Sequence, residues 1–337
     1  MDRTSKLVLV VVAAVVVVAA ATATVLFWPR EAPRPGPVTV TDALNRTVQL
    51  PSSIQRVVVL APSITEAMVY LGVDNLIVGA DSFSLESWFM NTSTRLRERN
   101  VTSVGGFWWT TIKVEEILKL KPDLVLADAG AHVKLLETFE SYNLTAVFLH
   151  GGSAATIEDV EKDVELLGKI FGREEKAREL VQKIREAIEE ARAGLARKGL
   201  AGLRVLVVID FYQGIWVAGR GTFVDNLLSK LGLVNAATVE GWAAASIEQI
   251  AEWKPSVVIV ACSYATWETV NESGLPRLGV PIVLLSSRDV DAVSRPGPML
   301  LYAPEVVRSA VEKALARAST QQVAAVLPRR HLSTPCF

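Results

Sequence analysis

The chain has 337 residues, 35 Lys plus Arg against 36 Asp plus Glu, with 50% hydrophobic and 21% charged residues. This balance lacks the basic excess of a nucleic-acid binder, and the apolar content excludes a disordered chain. The length exceeds what one core usually organises, so two are expected. A mean hydropathy of +0.31 points to some of the apolar residues being gathered in a membrane segment.

That segment is Leu7 to Trp28, a 22-residue run without a charge. At about 1.5 Å of rise per residue a helix of this length crosses a hydrocarbon core of about 30 Å. Arg3 and Lys6 precede it, which keeps the N-terminus inside and sends the remainder of the chain out of the cytoplasm. Residues 1–28 read as a retained single-pass anchor, from the length of the run and its terminal Trp. The alternative is a signal peptide cleaved after Ala21-Thr22-Ala23, leaving a secreted or periplasmic protein. The cysteines, Cys262 and Cys336, lie far from the N-terminus, which argues against a lipid-modified N-terminal Cys and against a disulfide framework. Five of the eight asparagines (Asn45, Asn91, Asn100, Asn143 and Asn271) sit in N-x-[ST] sequons. Chance would supply roughly one, so surface glycosylation is expected.

Residues 29–37 hold four prolines and form a stiff spacer. From Val38 the chain alternates β-branched runs with amphipathic stretches: Arg56–Leu60, a helix through Tyr70, Leu76–Gly79, a helix from Val114 to Leu120, Asp123–Ala127, and Thr145–Leu149. This alternation predicts βα units on a mainly parallel sheet, an α/β lobe over 38–155. Residues 156–200 are charged helix interrupted at Gly172, with Leu180, Ile184 and Ile188 as an apolar stripe. They predict a long spine joining the first lobe to a second one over 201–318. The tail 319–337 is expected to be disordered.

The second lobe repeats the first. Trp109–Val125 and Trp242–Val258 share W-x5-E-x-I-x3-K-P-x2-V, which aligns Glu115 with Glu248, Lys121 with Lys254 and Pro122 with Pro255. Leu71-Gly72 is echoed by Leu231-Gly232, and Arg56-Val57 by Arg204-Val205. A long unit present twice describes two similar lobes, and clefts form between such lobes.

With these motifs, Arg56-Val-Val-Val-Leu-Ala-Pro-Ser-Ile-Thr-Glu66 and Arg295-Pro-Gly-Pro298, the chain resembles the helical-backbone solute-binding proteins of ABC importers, which capture cobalamin, siderophores or haem. The resemblance covers about residues 38–316 and is nearest in motif to the cobalamin-binding branch. It implies Phe83, Trp109, Phe211, Trp242 and Arg295 as ligand-binding residues, with Trp108 beside them. It implies Glu115 and Glu248 as the points that dock on a permease dimer, itself driven by cytoplasmic ATPases. Asp128 stands where the cobalamin-binding branch has an aromatic, and Phe107-Trp108-Trp109 is richer than that branch's single Trp; both leave the ligand open among cobalamin, which is preferred, an iron–siderophore and haem.

The residues read the same way on physical grounds. Aromatic faces on loops suit a flat macrocycle or aryl chelate. Trp109 and Trp242 follow glycines and precede predicted helices, a loop setting that favours a pocket over core packing. With three histidines, a bare metal site is not expected, and His132 reads as a surface or capping residue before it reads as a haem or cobalt ligand. No G-x-S-x-G or phosphate-loop pattern appears. The competing function is an extracytoplasmic enzyme with Asp128, His132 and Asp210 as acid or base. The reading taken is a monomeric, non-enzymatic receptor without a resident cofactor, delivering a metal chelate to a permease.

Overall fold

The computed structural model describes residues 39–326, so Leu7–Trp28, the spacer, residues 327–337 and Cys336 lie outside the described residues. No helix among the described residues is long and apolar enough to cross a membrane.

A hairpin of β1 (Thr39–Thr41) and β2 (Thr47–Gln49) opens the fold. Asp42 at its turn accepts from the Leu44 and Arg46 amides at 3.0 Å, and the Arg46 guanidinium donates to Asp42 and to the Ala146 carbonyl. This ties the hairpin to the first sheet. That sheet comprises β3 (Val57–Val59), β4 (Ile77–Ala80), β5 (Thr102–Ser103), β6 (Leu124–Asp128) and β7 (Ala146–Leu149), in the order β5-β4-β3-β6-β7 and all parallel. Its central strands are buried on both faces, which is why they read as unbroken apolar runs.

The second sheet holds β8 (Arg204–Asp210), β9 (Ile215–Ala218), β10 (Val234–Asn235), β11 (Trp242–Ala245), β12 (Val257–Val260) and β13 (Ile282–Leu284). Its order is β11-β9-β8-β12-β13, with β10 paired to the start of β8. β8, β10, β12 and β13 are parallel, whereas β9 turns back antiparallel on β8. The repeat is visible in the elements. Helix Val114–Leu120 leads into β6 and helix Ile247–Trp253 into β12, each ending on a left-handed lysine, Lys121 (φ 46°) and Lys254 (φ 48°). A proline follows each lysine, so neither helix continues.

The expected spine is two packed helices, Ile157–Phe171 and Glu174–Arg197, because Gly172 takes a left-handed conformation (φ 63°) between them. Thr156 and Asp159 form a capping box at the first. Leu180, Ile184 and Ile188 are buried, in one apolar cluster with Leu71 and Leu126 of the first half and Val205 and Leu300 of the second. The final helix, Ala303–Val326, continues past Ser319 into the stretch expected to be disordered. Residues 319–326 contain no Gly or Pro to interrupt the helix.

Candidate functional site

In parallel sheets, ligands gather beyond the carboxyl ends of the strands, and most of the candidate residues stand there. Phe83 follows β4, Trp108 and Trp109 follow β5, Phe211 follows β8, and Arg295 lies beyond β13. Trp242 is the exception.

Buried hydrogen bonds hold the first set. Asp81 caps the short helix Ser82–Glu86, accepting from the Phe83 amide at 2.9 Å, the Ser84 amide at 3.1 Å and the Ser84 hydroxyl. Burial pushes its carboxyl up to about 6, and the cap leaves Phe83 49% exposed. The Gly105–Ile112 loop folds back on itself. Gly105 has φ 115°, and a Cβ there would meet the Thr111 carbonyl at 2.1 Å, so only glycine fits. This turn presents Trp108, 61% exposed, edge-on to Phe107. Trp109 is 39% exposed beneath the Lys134 ammonium, 4.7 Å from its ring centre, a cation–π contact.

His132 props this loop from behind. Its Nδ1 accepts from the Asp128 amide at 3.0 Å, which places the proton on Nε2, and that N–H donates to the Phe107 carbonyl at 2.5 Å. Burial pulls the imidazole down to about 4, so it stays neutral with both nitrogens engaged. It is a strut, and the haem or cobalt ligand reading finds no free nitrogen. Asp128, the position of doubt in the sequence, accepts from the Ala131 and Gly152 amides at 3.0 and 2.8 Å, and burial pushes it up to about 6. A Cβ on Gly151 would sit 2.1 Å from its Oδ2. Both carboxylate oxygens are bound to backbone, an arrangement that braces the loop after β7. Among the described residues no group of three or more His, Cys, Asp or Glu side chains is placed to hold a metal ion.

In the second half, Asp210 at the end of β8 accepts from the Tyr212 amide at 2.7 Å and from the Tyr264 hydroxyl, whose oxygen accepts from the Phe211 amide at 3.2 Å. Burial and the bond to Asp210 push the Tyr264 phenol up to about 12. Trp216 donates to the Tyr212 carbonyl at 2.8 Å. The network holds Phe211 half-buried and leaves Tyr212 and Tyr264 exposed beside it, and Trp267 is exposed at the start of helix Trp267–Glu272. None of these three stands out in the sequence, since they belong to neither repeat motif.

Trp242 departs from expectation. It is the first residue of β11, paired with Ala218, rather than part of a loop before a helix. It is partly buried, tilted against Phe223 at 5.8 Å, and its Nε1 donates to the Gly152 carbonyl of the first half at 3.2 Å. The W-A-A-A run has no polar alternation to mark it as strand. Arg295 is also committed, to Glu66 of the first half at 2.5 Å and to Asp291 at 2.8 Å. Glu115 and Glu248 are exposed, each the second residue of its helix. A cavity of about 400 Å3 lined by Val283, Leu285, Asp289, Glu305 and Lys313 contains none of the candidate ligand residues.

All five sequon asparagines are exposed. Four of them, Asn45, Asn91, Asn100 and Asn143, have φ between 53° and 59°, a left-handed conformation that Asn tolerates better than other side chains. Turn chemistry therefore accounts for asparagine at these positions independently of any glycan.

Two α/β halves, each a largely parallel sheet with aromatic residues at its strand ends and joined through helices, define a two-lobed solute-binding architecture. The chain belongs to the periplasmic binding protein family, whose profile matches residues 57–275. It is 25% identical over 283 residues to an uncharacterised ABC transporter substrate-binding lipoprotein of Bacillus subtilis, covering 82% of this chain and 85% of that one. It is 26% identical over 258 residues to the vitamin B12-binding protein of Pectobacterium carotovorum, covering 76% and 87%. Its fold resembles the crystal structure of a petrobactin-binding protein from Bacillus subtilis, with a TM-score of 0.66 at 19% identity, covering 82% and 99%.

Proposed function

We propose that the protein is the extracytoplasmic solute-binding component of an ABC importer. It captures a metal chelate between its two aromatic sets and delivers it to a permease dimer coupled to cytoplasmic ATPases. The observation that carries this reading is the exposure of Phe83, Trp108, Trp109, Tyr212 and Tyr264 at strand ends, held there by hydrogen-bond networks centred on Asp81, His132 and Asp210. Exposed aromatic surface of this kind is costly unless it receives a ligand.

A corrinoid is the preferred ligand. Two candidate cations are already occupied, Arg295 by Glu66 and Asp291, and Arg288 by stacking over Trp88 at 5.4 Å. Aromatic walls with little free positive charge suit a near-neutral ligand better than a highly anionic catecholate. The vitamin B12-binding relative supports the same choice, and the petrobactin-binding neighbour and a haem ligand define the alternatives. Residues 1–28 would hold the domain at the membrane, or be removed, and Glu115 and Glu248 would meet the two permease subunits.

Mass spectrometry of small molecules extracted from the protein purified out of its own cells tests the proposal. A corrinoid mass supports it, an iron–siderophore or haem moves it to the alternatives, and a converted small-molecule product would favour an enzyme.

A further inference from the structure

Three of the five sequons lie in loops that lead into strands. Asn100 stands two residues before β5, Asn143 three before β7, and Asn45 in the turn of the opening hairpin, two before β2. All three are exposed, with φ 58° at Asn45, 54° at Asn100 and 53° at Asn143. A left-handed turn selects Asn, but it sets no requirement on the residue two positions on, which is Thr47, Thr102 and Thr145 in turn. Strand propensity admits Thr there and admits Val or Ile equally, so the shared hydroxyl is what neither turn nor strand explains. The side-chain amides are also uncommitted. Asn226 accepts from the Ile157 amide at 3.0 Å and Asn235 donates to the Ala218 carbonyl at 2.9 Å, whereas none of the three makes a side-chain hydrogen bond among the described residues.

The two remaining sequons are set differently. Asn271 belongs to helix Trp267–Glu272, and its Ser273 hydroxyl donates to the Val270 carbonyl at 2.7 Å. Asn91 directly precedes helix Thr92–Glu98, so Thr92 and Ser93 are helical. An N-linked acceptor sits in a surface loop, which fits the first three and not these two.

The placement of the three is one-sided. In the all-parallel first sheet Asn100 and Asn143 precede strand starts, opposite the strand ends that carry Phe83, Trp108 and Trp109. Arg46, next to Asn45, donates to the Ala146 carbonyl at the start of β7 at 2.9 Å and pairs with Glu140, close to Asn143 in the chain, at 3.5 Å. This brings Asn45 to the same end of the sheet. Glu115 stands at the other end: the Lys113 amide, just before its helix, donates to the Val104 carbonyl immediately beyond β5 at 2.8 Å. The 5 residues of β6 separate the two ends by about 16 Å.

We infer that Asn45, Asn100 and Asn143 carry N-linked oligosaccharides that cover the strand-start end of the first half, leaving the strand ends, with their aromatics and Glu115, open to ligand and permease. The inference rests on the reading above that this part of the chain is extracytoplasmic, where a membrane transferase meets it. In the transfer each Asn Nδ2 forms a bond to the anomeric carbon of an oligosaccharide carried on a lipid phosphate. The bond from that carbon to the phosphate oxygen breaks, the lipid phosphate leaves with the electron pair, and the amide gives up one proton to the transferase.

Peptide mass mapping of the full chain purified from its own cells tests this. Peptides holding Asn45, Asn100 and Asn143 should each be heavier than their sequence by a saccharide mass, and those holding Asn91 and Asn271 should not. Thr47→Val, Thr102→Val and Thr145→Val keep the β-branched shape, and each should remove the added mass from its own asparagine alone. Bare peptides at the three positions, saccharide at Asn91 and Asn271 in their place, or added mass that survives loss of the threonine overturns the inference. A membrane-impermeant amine reagent applied to spheroplasts separates this failure from failure of the location. Labelled lysines with bare asparagines overturn the inference and leave the location standing; unlabelled lysines with bare asparagines overturn both.

Discussion

Arg56 and Arg204 make the same contact in the two halves of the chain. Each places Nε and Nη2 on the last carbonyl of the following repeat helix, Leu120 O at 2.9 and 2.7 Å and Trp253 O at 3.1 and 2.7 Å. A helix end leaves carbonyls without partners, and both halves solve this with an arginine, Arg56 immediately before β3 and Arg204 at the start of β8. The duplication therefore extends beyond the shared motif to how the end of its helix is anchored, and Glu115 and Glu248 hold the same second position in the two corresponding helices.

From that equivalence, Glu115→Lys and Glu248→Lys should each leave ligand affinity unchanged in the full chain while uptake through the cognate importer falls. Reversing a charge at a desolvated contact sets like charges together and costs several kcal/mol of complex stability. Both glutamates are exposed, so folding should tolerate the change. Normal uptake by the double variant would return them to ordinary first-turn residues that complement the helix dipole.

The two tryptophans of the repeat should now behave differently. Trp109→Ala is expected to weaken cyanocobalamin binding by about 1–3 kcal/mol with little change in Tm. Trp242→Ala removes packing on Phe223 and the bond to Gly152, and should lower folding stability by about 2–4 kcal/mol. Calorimetric titration and thermal unfolding on both variants separate these outcomes; equal stability losses would place Trp109 in the core as well.

Glu66 makes a prediction about stability against pH. Its carboxyl takes a proton near 7 in the fold against 4.5 ordinarily, so the folded state binds more protons between those values. Stability from this group is greatest in acid and is lost as pH rises through about 7. Relative to Glu66→Gln, the unaltered protein should lose about 2–3 kcal/mol between pH 5 and pH 8. A constant difference between the two proteins across that range would contradict the burial argument.

His132 is expected to remain neutral, protonated on Nε2, at pH 5.5, where an ordinary histidine is charged. Ring nitrogen shifts in an NMR titration read this directly. A midpoint near 6.5 would mean that the Asp128 and Phe107 bonds do not form in solution.

Much of the scaffold was legible in the residues, and less of the site. Helix Val114–Leu120 and its repeat Ile247–Trp253 announce themselves through an apolar stripe that stops at Lys-Pro, and the buried strands through β-branched runs. Gly172 marks the break in the spine but not that its two helices pack together, since packing depends on contacts with both sheets. The Arg295–Glu66 pair spans 229 positions, and no local pattern relates residues so far apart. Tyr264 escapes because its aromatic character becomes meaningful only when β8 and β12 lie side by side and bring it to Asp210. Trp242 misleads because the same motif begins a 3-10 turn at Trp109 and an edge strand in the second half.

Capture of a metal chelate by the aromatic strand ends is a binding event that can be titrated. Isothermal titration of the full chain with cyanocobalamin tests it most directly. A one-to-one complex is expected, weakened by Trp109→Ala and little affected by Glu115→Lys. Absence of binding to cyanocobalamin, and equally to haem and to a ferric siderophore in parallel titrations, would contradict it.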